Sequence, residues 1–157
     1  MKEKNILIIG GANGIGKEIA LNFGAEGHHV AVADINKNML NKVITESGLN
    51  NLFPFEVDAG SWESVKSLAN EIQEKFGTIH TLVYSAGITR TVNFLDIDWA
   101  TWKKTMAVNL HGLFYSIKSI YPLMEPGEVS LLLDLVLRSQ VLVGEFTIHH
   151  QRAGHLV

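Results

Sequence analysis

The segment Asn5–Asp34, NILIIGGANGIGKEIALNFGAEGHHVAVAD, constrains the fold of this chain more than any other. Ile6–Ile9 is a short unbroken apolar run, the pattern of a strand buried on both faces. It runs into a glycine loop, Gly10–Gly16. A helical period follows, with Ile15, Ile19, Ala20 and Phe23 on one face. A second apolar run, Val30–Ala33, ends on Asp34. Strand, glycine turn, helix, strand and acid, in that order, make the pattern of a βαβ unit that holds a dinucleotide.

The residue types fit that task. Gly10 lets the chain turn sharply off the strand. Gly14 and Gly16 allow a pyrophosphate close to the backbone and the helix close to the sheet. The helix N-terminus aims free N–H groups and the positive end of its dipole at the phosphates. Asp34 can accept both hydroxyls of an adenosine ribose and would repel a 2′-phosphate, so NAD is expected over NADP. A methyltransferase binding S-adenosylmethionine could use a similar unit and acid, but the glycine spacing argues against it.

The pattern continues downstream. Asn36–Ser47 is predicted as a helix with Met39, Leu40, Val43 and Ile44 inward and Gly48 as terminator. Leu52–Val57 is a third strand, followed by Asp58. Ser61 caps a helix whose stripe is Val65, Leu68, Ala69, Ile72 and Phe76, ended by Gly77. Thr81–Tyr84 is a fourth strand running into Ser85-Ala86-Gly87. After a longer connection, Asp98 caps a helix from Trp99 through Asn109 to Leu123. On it Leu110, Leu113, Phe114, Ile117 and Tyr121 are expected to share a face; Pro122 and Pro126-Gly127 break it. Strand and helix alternate, which implies an α/β fold, a doubly wound parallel sheet of the Rossmann type.

Composition narrows the classes. The chain has 157 residues, 46% hydrophobic and 18% charged, enough for one globular domain. A net charge of −3 gives no electrostatic reason to expect nucleic acid. With no cysteine there are no disulfides and no thiolate zinc sites. No apolar run is long enough to span a membrane, and the start MKEKN lacks a secretory signal, so a cytoplasmic location is expected. His149, His150 and His155 lack a carboxylate at ligand spacing and read as a solvated tail, so no metal is expected.

These motifs together resemble the N-terminal part of the single-domain short-chain dehydrogenase/reductase family. The family motif Thr-Gly-x-x-x-Gly-x-Gly is matched by Ile9-Gly10-Gly11-Ala12-Asn13-Gly14-Ile15-Gly16, with Ile9 in place of threonine. Its Asn-Asn-Ala-Gly is matched by Tyr84-Ser85-Ala86-Gly87, keeping only the Ala-Gly end. Its acid after the third strand matches Asp58, and its helix asparagine matches Asn109 in Val108-Asn109-Leu110. The resemblance covers about residues 4–125. It implies that Gly10, Asn13, Gly14, Ile15, Gly16, Asp34, Ile35, Asp58, Ala59, Ser85, Ala86 and Gly87 bind NAD, with Asp58 on the adenine and the small Ala86-Gly87 pair beside a cofactor ribose. It also implies hydride transfer between NAD and an alcohol or ketone, and homo-oligomers formed through the helix 109–121.

The family's catalytic set is Asn, Ser, Tyr and Lys, with tyrosine as general acid/base and lysine lowering its pKa. Asn109 matches the asparagine; Ser139 lies near the serine position, though Arg138 and Gln140 do not match its neighbours. Tyr-x-x-x-Lys is absent: Tyr84, Tyr115 and Tyr121 are followed four residues on by Ile88, Ser119 and Glu125. The resemblance stops near Gly127, dividing the chain into an NAD-binding domain, 1–127, and a divergent tail, 128–157. The tail is expected to hold a fifth strand over Val129–Val136 and an irregular segment, leaving the sheet incomplete at its C-terminal edge. Back-translation of Thr147–Gly154 from the third base of the threonine codon permits Tyr-Thr-Ser-Ser-Lys-Gly-Gly-Ala; its lysine needs AGA or AGG at Arg152, and the glycine after it needs AGG. A reading-frame slip would therefore explain the break, with a divergent or truncated natural member as the alternative. Either way the chain is expected to be catalytically deficient, or else a non-catalytic nucleotide-binding or dimerising module.

Overall fold

Residues 3–89, 93–124, 128–137 and 140–149 are described by a computed structural model, the last two segments by their backbone. Successive residues of its central strand point to opposite sides of the sheet, and both sides are covered. β1 (Asn5–Ile9) sends Ile6 and Ile8 into one core and Leu7 and Ile9 into a second. β2 (His29–Asp34) divides the same way, Val30 and Val32 against Ala31 and Ala33. That two-sided burial is why both strands read as unbroken apolar runs.

The first core is closed by α1 (Gly14–Ala25) and α2 (Lys37–Ser47), through Ala20 and Leu40. The second is closed by α3 (Trp62–Phe76), through Val65, Leu68 and Ile72, and by Ile120 of α5 (Gly112–Ile120). Burying a side chain such as Leu68 contributes about 1.5–3 kcal/mol. Asn36, Ser61 and Asp98 cap their helices, accepting from the N–H of Met39, Ser64 and Thr101 at 3.1, 3.3 and 2.6 Å. Gly48 ends α2 with a left-handed backbone.

β3 (Leu52–Glu56), β4 (Thr81–Tyr84), β5 (Glu128–Leu137) and β6 (Gln140–His149) complete the sheet, in the order β3-β2-β1-β4-β5-β6. The first five pair in parallel, β4 with β5 from Thr81–Ser130 to Tyr84–Leu133. β6 runs antiparallel to β5. It lies where the sequence led us to expect an irregular segment. The reason is chain length: two residues between strands are too few for a crossover, so the second strand has to fold back.

Two expected helix faces are also corrected. Met39 is exposed, because the inward stripe of α2 runs through Leu40 and Val43. Leu110 and Phe114 are exposed at 52% and 59%, whereas Leu113, Ile117 and Tyr121 pack on the core. The long helix is three pieces: α4 (Trp99–Met106), a wide π turn over Ala107–His111, and α5. Leu110 and Phe114, four residues apart, form a stripe of their own beside that of Leu113, Ile117 and Ile120, and only the second meets the core.

Candidate nucleotide cleft

The parallel strands end together, and a cleft of about 620 Å³ opens beyond their C-terminal ends. Its floor is the turn after β1. Gly10 has φ +87, and a Cβ there would lie 2.4 Å from the Ala86 nitrogen, so only glycine lets β1 and β4 end this close. The N–H groups of Gly10 and Gly11 both donate to Ala33 O, at 2.8 and 3.1 Å, and Ser85 N–H donates to Ile9 O at 2.8 Å. These bonds hold the three strand ends in register below the cleft.

Asn13, Gly14 and Ile15 line the cleft where α1 begins. Asn13 makes no side-chain cap, and the first turn carries no acid, so its N–H groups and positive dipole end face the cleft uncompensated. Gly16 does not line the cleft. A Cβ on it would lie 2.2 Å from Gly10 O, so it sets how closely α1 presses on the loop.

Asp34 stands at the end of β2, half-buried. Its Oδ2 accepts from Ala12 N–H at 3.1 Å and its Oδ1 from Asn36 N–H at 3.0 Å. Both oxygens are thereby oriented, and each keeps a lone pair for a further donor. Asp58 stands one strand further out; its Oδ1 accepts from Gly60 N–H at 2.9 Å. Ile35 and Ala59 complete this end, and Ser85, Ala86 and Gly87 line the opposite one. Of the cofactor residues expected from sequence, all except Gly16 therefore line one cleft.

A match to the family model described as short chain dehydrogenase extends over residues 4–131. The chain belongs to the short-chain dehydrogenase family. It is 32% identical over 126 residues to 3-oxoacyl-(acyl-carrier-protein) reductase FabG of Thermotoga maritima, covering 79% of this chain and 51% of that protein. It is 33% identical over 122 residues to sorbitol-6-phosphate 2-dehydrogenase of Escherichia coli, covering 75% of this chain and 47% of that one. A solved short-chain dehydrogenase from Brucella melitensis, of the glucose/ribitol dehydrogenase type, superposes with a TM-score of 0.75 at 29% identity. That superposition covers 78% of this chain and 51% of that one. The chain thus spans about half the length of these relatives.

Two residues of the chain are placed less simply. Asn109 sits in the wide turn, outside the cleft lining. Its Oδ1 accepts from Ile88 N–H at 2.9 Å and its Nδ2 donates to Ile88 O at 3.0 Å. Both ends of the amide are used to clamp Ile88, which does line the cleft. Ser139 falls outside the described residues.

Tyr84, which departs from the family motif, is buried, and its hydroxyl donates to Val108 O in the wide turn. Burial, reinforced by the charge of Asp58, holds its pKa well above the ordinary tyrosine value. Gly112 leaves room for it: a Cβ there would lie 2.3 Å from the phenol oxygen. An acid whose folded pKa is raised stays protonated while the unfolded chain ionises near pH 10. The stability it contributes is full below that pH and is lost as pH rises toward the folded value. Tyr84→Phe is expected to flatten this alkaline fall in urea midpoint. At neutral pH it should cost about 1–3 kcal/mol, because Val108 O loses its donor. An alkaline limb identical to the parent's would refute the assignment.

Sequence reasoning missed Ile9, Val57, Gly60, Ile88, Lys104, Ala107 and Val108 in the lining. The signal for the last three was helical spacing: Lys104 and Val108 stand one turn apart, just ahead of Asn109. Among the described residues no three His, Cys, Asp or Glu side chains gather into a metal site, and no helix is long and apolar enough to cross a membrane.

Proposed function

We propose that this chain binds a nicotinamide dinucleotide, NAD in preference to NADP. The observation that carries the reading is one cleft that joins the uncapped start of α1 to the oriented carboxylate of Asp34. The phosphates would lie on the N–H groups at Asn13–Ile15, one ribose on Asp34, and the second ribose along Ala86-Gly87. The bound nicotinamide is what supplies or accepts a hydride. Asn109 would hold the Ile88 wall beside it, and Ser139 is the candidate for orienting a substrate carbonyl.

By family the reaction is oxidation of an alcohol or reduction of a ketone, and we place this chain as the nucleotide-binding part with weak chemistry or none. We take residues 1–127 as that domain, 128–157 as a divergent tail, and the cytoplasm as its location. The preference is tested by titrating NADH and NADPH against tryptophan fluorescence. NADH is expected to bind more tightly, and Asp34→Ala to narrow the gap by removing both the ribose bonds and the repulsion of the 2′-phosphate. Equal affinities in the parent chain would overturn the role given to Asp34.

A second reading, a self-associating module, is favoured by one observation. Trp99, Trp102, Leu110 and Phe114 are exposed along α4, the wide turn and α5. So much exposed apolar surface usually marks an interface. This reading predicts a dimer or larger at micromolar concentration in sedimentation, and a monodisperse monomer would dismiss it.

A further inference from the structure

Lys104 sits in the last turn of α4 and lines the cleft. Of the described lining residues it alone carries a positive charge, facing a site that also holds Asp34 and Asp58. Among the described residues its ammonium has neither an ion-pair nor a hydrogen-bond partner. Neighbouring lysines are engaged elsewhere: Lys103 lies over the Trp99 ring at 5.5 Å and Lys118 over the Trp62 ring at 5.5 Å. Lys104 is different because its surroundings are the cleft.

Sheet order tells which part of a dinucleotide lies there. With strands ordered β3-β2-β1-β4, phosphates at the end of β1 and a ribose at the end of β2 send the base outward to the end of β3. That compartment is made by Asp58, Ala59 and Gly60. The wide turn closes it from the other side: a Cβ on Gly60 would lie 3.3 Å from Val108 Cγ2 and 3.5 Å from Ala107 Cβ. Lys104, one helical turn before Val108, lies on the same side of the helix and lines the same cleft.

Apolar walls, a carboxylate at one edge and a free ammonium above suit a purine. Its exocyclic amine can donate to Asp58, and its π face attracts a cation. We propose that Lys104 is a base-binding residue of this cleft, its ammonium closing over the purine ring. The proposal rests on the dinucleotide reading above and assigns it a residue outside the motifs that carry the family resemblance.

The test is NADH binding by fluorescence to the parent chain, Lys104→Met and Lys104→Arg, with adenosine and inorganic pyrophosphate as displacing probes. Lys104→Met keeps most of the aliphatic stem and removes the charge. It is expected to weaken NADH and adenosine alike by about threefold to tenfold, to leave pyrophosphate unchanged, and to be rescued by Lys104→Arg. Unchanged adenosine affinity in Lys104→Met overturns the proposal while leaving dinucleotide binding intact. Weakened pyrophosphate with unchanged adenosine overturns it by moving the cation to the phosphates. A parent chain that binds neither NADH nor adenosine overturns both readings together.

Discussion

Gly16→Ala is expected to weaken NADH binding by about tenfold or more, although Gly16 does not line the cleft. The added carbon would lie 2.2 Å from Gly10 O and 3.0 Å from Gly10 C, both backbone atoms. No rotamer change relieves such a contact. Gly10 has little freedom to yield, since its N–H is tied to Ala33 O and its own α-carbon faces Ala86. The start of α1 must therefore move away, carrying with it the N–H groups that face the phosphates. Glu18→Ala, on the exposed side of α1, is the matched control. Urea midpoints on the same samples separate a displaced helix from an unfolded chain. If Gly16→Ala stays folded and binds NADH like the parent, α1 packing does not set the phosphate site.

The glycine loop and the two apolar strands were legible because their constraints are local. Strand, turn and helix follow one another within a few residues, and Asp34 closes the unit. The far wall of the cleft was not legible in that way. Lys104, Ala107 and Val108 reach it from α4 and the wide turn, across the sheet from the loop that faces them. Nothing in the order of residues announces that meeting.

The wide turn itself was hidden because an α-helix and a π turn show similar apolar spacing. The exposure of Leu110 and Phe114 was hidden as well, because which stripe of a helix meets the core depends on its neighbours. Tyr84 was visible as a departure from the family motif, but its partner was not. A phenol that replaces a small amide needs space, and the space comes from Gly112, in a different element. The fold-back of β6 was within reach of sequence. Two apolar runs separated by two residues leave only a hairpin, although Gly144 and Glu145 interrupt the second run.

The second large effect concerns turnover, which is expected to fall about 10²- to 10⁴-fold below that of a relative with a cation-supported tyrosine. Hydride arriving at a carbonyl carbon leaves an alkoxide that must take a proton, and a phenol serves near neutrality only beside a cation. The chain has three tyrosines, and none meets that need. Tyr84 has its hydroxyl bound to Val108 O, and burial pushes its pKa up, opposite to what proton transfer at neutral pH requires. Tyr115 packs edge-on against Trp62, with ring centroids 5.6 Å apart, and Tyr121 packs against the core. Neither lines the cleft. The measurement is NADH oxidation with a panel of ketones and NAD reduction with alcohols. Sorbitol-6-phosphate 2-dehydrogenase of Escherichia coli, assayed alongside, is the comparator. Binding of NADH with turnover at background level is the expected result, and Tyr84→Phe should leave that background unchanged. Turnover comparable to that enzyme's would sink this account. It would mean that a group outside the three tyrosines supplies the proton, and Ser139→Ala would be the first variant to show whether the tail provides it.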